Sequence, residues 1–187
     1  MASVALADPA YSFVGNDRVS LKQSKNDSRS GLYSPEERER RDTTVWTTVQ
    51  AILAPIQFLV FLISLVLVVR YLLTGAGYEV ATLSIIVKTF LLFTIMVTGA
   101  IWEKVVFGQY LLAPAFFWED VVSFLVIALH TAYLVALLTG WLDPTALMWL
   151  ALAAYATYVV NAAQFIWKFR LARLDQQSPV SDDAVAA

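Results

Sequence analysis

Between Ala113 and His130 the chain reads "APAFFWEDVVSFLVIALH". It sets two adjacent carboxylates, Glu119 and Asp120, at the head of an apolar run and its only histidine, His130, eleven residues past Glu119. A third carboxylate, Glu103, lies upstream in "WEK", between Trp102 and Lys104. Carboxylates crowded together in apolar surroundings divide into a protonated acid and an ionised base, the pairing that general acid–base chemistry needs. The same residues have plainer readings. Glu119 and Asp120 suit the N-terminus of a helix, where negative charge is stabilised, whereas Glu103 falls at the less favourable C-terminal end of its apolar segment. Glu103, Lys104, Glu119 and Asp120 could also form an ion-pair cluster. With no cysteine in the sequence, thiolate nucleophiles, cysteine-held metals and disulfides are excluded. A single histidine also excludes a bis-histidine haem within one chain.

The elements that must position these groups are membrane helices. Of 187 residues, 59% are hydrophobic and 15% charged, and the mean hydropathy is +0.64. That balance lies well outside the range of soluble domains. Four apolar segments, roughly Val45 to Leu73, Glu79 to Trp102, Trp118 to Thr139 and Thr145 to Phe169, each supply the about 20 residues that cross a bilayer. The breaks "TGAGYE", "FGQYLLAP" and "TGWLDP" carry the Gly, Pro and Asp that stop helices. Trp46, Trp102, Trp118, Trp141 and Trp167 fall near the ends, as an aromatic belt does. The expected fold is all-α: a polytopic membrane protein of four transmembrane helices.

Arg38, Arg40 and Arg41 precede the first span, Lys104 lies in the second connection, and Lys168, Arg170 and Arg173 close the fourth; Arg70 alone lies near the opposite side. The positive-inside rule then places the N- and C-termini in the cytoplasm. Ser34 and Glu37 read as a capping box with Pro35 at the first helical position, so a short charged surface helix leads into the bundle. Residues 1–33 and 175–187 read as disordered tails around a domain at 34–174. A net charge of −2 argues against nucleic acid as a partner.

Polar residues inside spans are costly, so their placement is informative. Gln50, Gln57, Ser64 and Tyr71 recur every seven residues; Thr157, Asn161, Gln164 and Lys168 share one face, as do Glu119, Ser123, His130 and Tyr133. Such stripes either glue helices together or line a common pocket. Lys88 lies at about the depth of His130 and calls for a buried partner or an anionic ligand. His130 is either a hydrogen-bonded core histidine or a ligand.

Three stretches, "SPEERERRDTTVWTTVQAILAPIQFLVFL", "VKTFLLFTIMVTGAIWEKVVFGQYLLAPAFFWEDVVSFLVIALHTAYL" and "AAYATYVVNAAQFIWKFRLARL", resemble the 3-vinyl bacteriochlorophyllide hydratases of bacteriochlorophyll biosynthesis, from about Ser34 to Leu174. The resemblance implies a hydro-lyase that adds water across the C3 vinyl group of a chlorophyllide. No cofactor is implied, since the substrate carries its own magnesium. It also implies a multi-pass protein of a bacterial inner, photosynthetic membrane, in contact with lipid and with other enzymes of the pathway. Within it, Glu103, Glu119 and Asp120 are the candidate acid and base. Trp102, Phe116, Phe117 and Trp118 are candidate walls for the planar ring, and Gln57, Asn161 and Gln164 polar contacts. Lys88, Lys104 or Arg70 would meet the propionate, and His130 could approach the substrate's magnesium. A non-catalytic tetrapyrrole-binding or pigment-assembly protein is the alternative.

Overall fold

The computed structural model describes residues 32–177. The tails expected at the two ends fall largely outside that range. The described residues form five helices: α1 (Pro35–Thr43), α2 (Val45–Thr74), α3 (Tyr78–Phe107), α4 (Phe117–Thr139) and α5 (Pro144–Gln177). Helices α2 to α5 are long and apolar enough to span a membrane. At about 1.5 Å per residue, the 30 residues of α2 extend to about 45 Å, beyond the ~30 Å of hydrocarbon.

Local chemistry sets each boundary. Ser34 Oγ accepts from the Glu37 N–H at 3.2 Å while Glu37 Oε2 accepts from the Ser34 N–H at 2.8 Å, so the expected capping box is formed. Gly75, Gly108 and Gly140 close α2, α3 and α4 in the left-handed conformation that side chains resist. Asp143 opens α5 by accepting from the N–H groups of Thr145 and Ala146. The expected end of the second span at Trp102 is five residues early. Glu103 is buried and continues the helix, which stops at Gly108. Glu119 and Asp120 sit in the first turn of α4, at the N-terminal end expected of them, although no side chain at the N-cap, Phe116, makes a capping hydrogen bond.

α2 packs on α3 and α4 on α5, giving two hairpins that meet chiefly through α2 and α5. The end of the bundle carrying α1 and the last turns of α5 is called here the α1 end, and the opposite one the far end. Toward the far end the hairpins interdigitate tightly around Phe61, Val68, Ile85, Val126, Tyr133, Met148 and Tyr155. Ser64 joins three helices there, with its Oγ 2.6 Å from Tyr155 Oη and 2.7 Å from Ser84 Oγ. Many large apolar side chains point outward, as lipid-facing surface requires. At the α1 end a second cluster gathers Tyr33, Trp102, Val106, Phe116 and Ala172. Tyr33, expected in the tail, is buried and stacks on Phe107 with ring centres 5.7 Å apart. Burial pushes its phenol up to about 12, opposed by the neighbouring Arg41, so it stays neutral.

Candidate active site

Toward the α1 end the hairpins separate around a cavity of about 760 Å³, within the ~300–1,000 Å³ of small-molecule sites. Small residues make the space. Ala51 and Ala54 of α2, Gly99 and Ala100 of α3 and Ala162 of α5 all border it. At Gly99 an added Cβ would come within 3.8 Å of the Gln50 amide. Trp102, Phe165, Phe169, Phe58 and Tyr158 supply flat apolar wall. Ala54, Pro55 and Phe58 on α2 and Ile166 and Phe169 on α5 border the cavity and are also exposed, so it opens sideways between α2 and α5.

Four charged residues border the cavity: Glu103, Asp120, Arg41 and Arg173. The two carboxyl groups are buried next to each other. Each also takes a backbone hydrogen from the α3–α4 connection. The Leu112 N–H donates to Asp120 Oδ2 at 2.6 Å and the Ala113 N–H to Glu103 Oε2 at 3.3 Å. Leu112 holds φ +59°, a left-handed conformation costly for a side-chain-bearing residue, and it does so while donating to Asp120. The connection is thus a strap that fixes both carboxyl groups. Two neighbouring carboxyl groups in apolar surroundings do not both ionise readily, so the pair can hold a proton to give while keeping an oxygen to receive one.

Glu119, the adjacent residue, is differently placed. It is buried outside the cavity lining and pairs with Lys168 of α5, Oε1 to Nζ at 3.2 Å. Asn161 ties the same seam. Its Nδ2 donates to the Glu119 carbonyl at 2.9 Å and lies 3.0 Å from Ser123 Oγ, and Asn161 itself reaches the cavity wall.

Gln57 is 2% exposed, borders the cavity, and neither its amide oxygen nor its nitrogen has a partner among the described residues. A buried unpaired amide costs about 1–3 kcal/mol, which suits a group held ready for a polar edge of a ligand. Gln50, by contrast, donates to Thr98 Oγ1 at 2.7 Å.

The other expected site residues fall elsewhere. Lys88 and His130 are both fully buried beyond the cavity wall, with Lys88 Nζ 2.9 Å from His130 Nε2. His130 Nδ1 faces the Val126 carbonyl at 2.8 Å, so geometry assigns the hydrogen to Nδ1 and leaves Nε2 to accept from Lys88. Lys88 Nζ also lies 4.2 Å from the ring centre of Tyr158 and 5.0 Å from that of Tyr155. With both ring nitrogens engaged, His130 is not presented to the cavity. Lys104 bonds the Gly108 carbonyl at 2.6 Å near the surface. Phe117 and Trp118 are 41% and 68% exposed and face outward, and Phe116 is buried behind Trp102 and Phe165. Gln164, though its Oε1 is buried, lies outside the lining, as does Arg70. Sequence reasoning did not single out Tyr33, Arg41, Tyr158 or Arg173 as cavity residues. Gln50, Gln57, Ser123 and Asn161, all on the polar stripes, do border the cavity.

A family model described as 2-vinyl bacteriochlorophyllide hydratase matches residues 33–171. A curated protein of Rhodobacter capsulatus with that name is 71% identical over 154 residues, covering 82% of this chain and 90% of the relative. One of Cereibacter sphaeroides, of the same name, is 72% identical over 148 residues, covering 79% and 91%. No solved structure matches the chain.

Proposed function

The chain belongs to the 2-vinyl bacteriochlorophyllide hydratase family, and from that premise we propose that it hydrates the ring vinyl group of a bacteriochlorophyll precursor through the Glu103–Asp120 pair. The relatives' names place the vinyl at position 2 and the sequence resemblance at C3; we take these as one group under two ring numberings. A hydro-lyase acting on a large apolar ring is well served by a cavity that opens to the acyl chains.

The proposed reaction balances without oxidant or reductant. The protonated member of the pair gives its hydrogen to the terminal vinyl carbon, which becomes a methyl group. Positive charge is left on the carbon attached to the macrocycle, which delocalises it. Water adds there, and a carboxylate of the pair takes the surplus proton, leaving a 1-hydroxyethyl group and restoring the pair. The strap from Leu112 and Ala113 holds both carboxyls at one spot, so proton donor and acceptor need not be assembled during turnover. Trp102, Phe165 and Phe169 would face the ring, and Gln57 and Asn161 would orient water or a polar ring substituent. No cofactor enters the reaction, and magnesium belongs to the substrate. The orientation proposed is with both termini in the cytoplasm, so that the mouth of the cavity lies on the cytoplasmic side of the photosynthetic membrane.

The observation that carries the reading is the buried carboxyl pair, held by the Leu112 and Ala113 N–H groups, at the wall of an aromatic-lined cavity of about 760 Å³. A pigment carrier would need the cavity but not the pair. Membranes of a host lacking the pathway, containing the expressed chain and supplied with vinyl chlorophyllide, should yield a product one water heavier. Binding of pigment by correctly inserted protein with no such product would instead identify a carrier.

A further inference from the structure

Resting on the hydratase reading, we infer that Arg41 and Arg173 form a carboxylate-binding subsite at the α1 end of the cavity, which takes the free propionate of the substrate and selects the acid over its esters. They are the two cationic residues in the cavity wall, contributed by α1 and by the last turns of α5. The residues expected to meet the propionate, Lys88, Lys104 and Arg70, lie outside it.

The charges are arranged along the cavity. Asn161 meets Ser123 across the α4–α5 seam, so these two residues share a depth. Counting outward from that level along α4 to Asp120 and along α5 to Arg173, at about 1.5 Å per residue, places Arg173 roughly 13 Å beyond Asp120. Asp120 therefore lies deeper and Arg173 nearer the α1 end, where helix α1 brings Arg41, with apolar and aromatic wall along the cavity between. A chlorophyllide has the matching polarity: an uncharged vinyl on one pyrrole ring and a carboxylate on another, across a flat apolar body.

Arg41 is held for such a role. Its guanidinium carbon sits 4.7 Å from the ring centre of the buried Tyr33, and its Nε donates to Asp42 Oδ1 at 2.7 Å. Two of its five N–H donors can still grip a carboxylate side by side once Nε is engaged. Arg173 has no acidic partner among the described residues. Anchoring the propionate at the α1 end would also fix which edge of the ring reaches Glu103 and Asp120, since a disc in a slot can otherwise enter by any edge.

The test uses the full chain in vesicles of zwitterionic lipid, with vinyl chlorophyllide and its propionate methyl ester as paired substrates. The wild type should show kcat/KM about tenfold or more in favour of the acid, from one charge-assisted contact. Arg41→Gln and Arg173→Gln should collapse that preference toward one, through KM for the acid rather than kcat, and Arg173→Lys should restore part of it. Equal turnover of acid and ester by the wild type overturns the subsite. So does an unchanged preference in both glutamine variants, or an equal loss for both substrates, the result expected if the arginines serve lipid headgroups. Failure of the wild type to hydrate either substrate would refute the hydratase reading instead. If the glutamine variants do not insert, the wild-type preference and the lysine variant still decide.

Discussion

The two ends of this bundle are made from the same helices and use buried polar groups in opposite ways. Toward the far end, most polar atoms close on one another, Thr82 Oγ1 and Tyr133 Oη excepted. Lys88 meets His130, His130 meets the Val126 carbonyl, and Ser64 bridges Tyr155 and Ser84. Toward the α1 end, Gln57 stays unpaired and Glu103 and Asp120 lie side by side at the edge of a cavity. Side-chain size underlies the difference. Phe61, Tyr155 and Met148 fill the far end, whereas Gly99, Ala100 and Ala162 leave room at the other. Ionisable residues inside a membrane are functional suspects by default. Here the Lys88–His130 pair satisfies itself within packed protein, and the pair facing open space is the acidic one.

Substitutions can break or sharpen that contrast. Glu103→Gln and Asp120→Asn should each lower hydration by about 10²–10⁴-fold, the usual contribution of a positioned acid or base. Glu119→Gln should instead lower thermal stability through Lys168 and reduce hydration by less than about tenfold. Product assays on inserted protein separate these outcomes, and equal losses at all three positions would erase the distinction drawn between Glu119 and its neighbour. His130→Leu, which strands the Lys88 ammonium, should destabilise the fold by about 3 kcal/mol, and adding Lys88→Met should recover most of it. Denaturant unfolding in micelles reads the recovery; a double variant that folds but no longer hydrates would bring the far end into the site. Gln57→Leu should raise stability by about 1–3 kcal/mol because it removes an unpaired amide, while weakening pigment binding. A stability gain without loss of affinity would show that the amide serves no ligand. Tyr155→Phe should cost about 1 kcal/mol through Ser64, with turnover retained.

The four spans were legible because apolar runs of bilayer length alternate with Gly, Pro and Asp breaks, and periods of seven assigned the stripe of Gln50, Gln57 and Ser64 to the interior. Helix ends were less legible. A charged "EK" reads as the end of a span, yet Glu103 continues α3 because the strap supplies its buried carboxylate with a partner. The adjacent carboxylates Glu119 and Asp120 could be named but not separated. Successive residues on a helix point about 100° apart, and the rotation of α4 decides that Asp120 faces the cavity and Glu119 faces Lys168. That rotation also turns Phe117 and Trp118 outward. Arg41 and Arg173 were legible only as charges that orient the spans, since 132 positions separate them in the chain and tertiary packing alone brings both to one cavity.

The sideways opening between α2 and α5 changes what a substrate concentration means for this protein. Phe58, Ile166 and Phe169 belong at once to the cavity wall and to the exposed surface, so a ring dissolved among acyl chains reaches the carboxyl pair without crossing water. The governing variable is then the mole fraction of pigment in the bilayer. Adding inert lipid at fixed total pigment should slow turnover below saturation by surface dilution, while diluting the whole suspension with buffer should leave the rate per enzyme nearly unchanged.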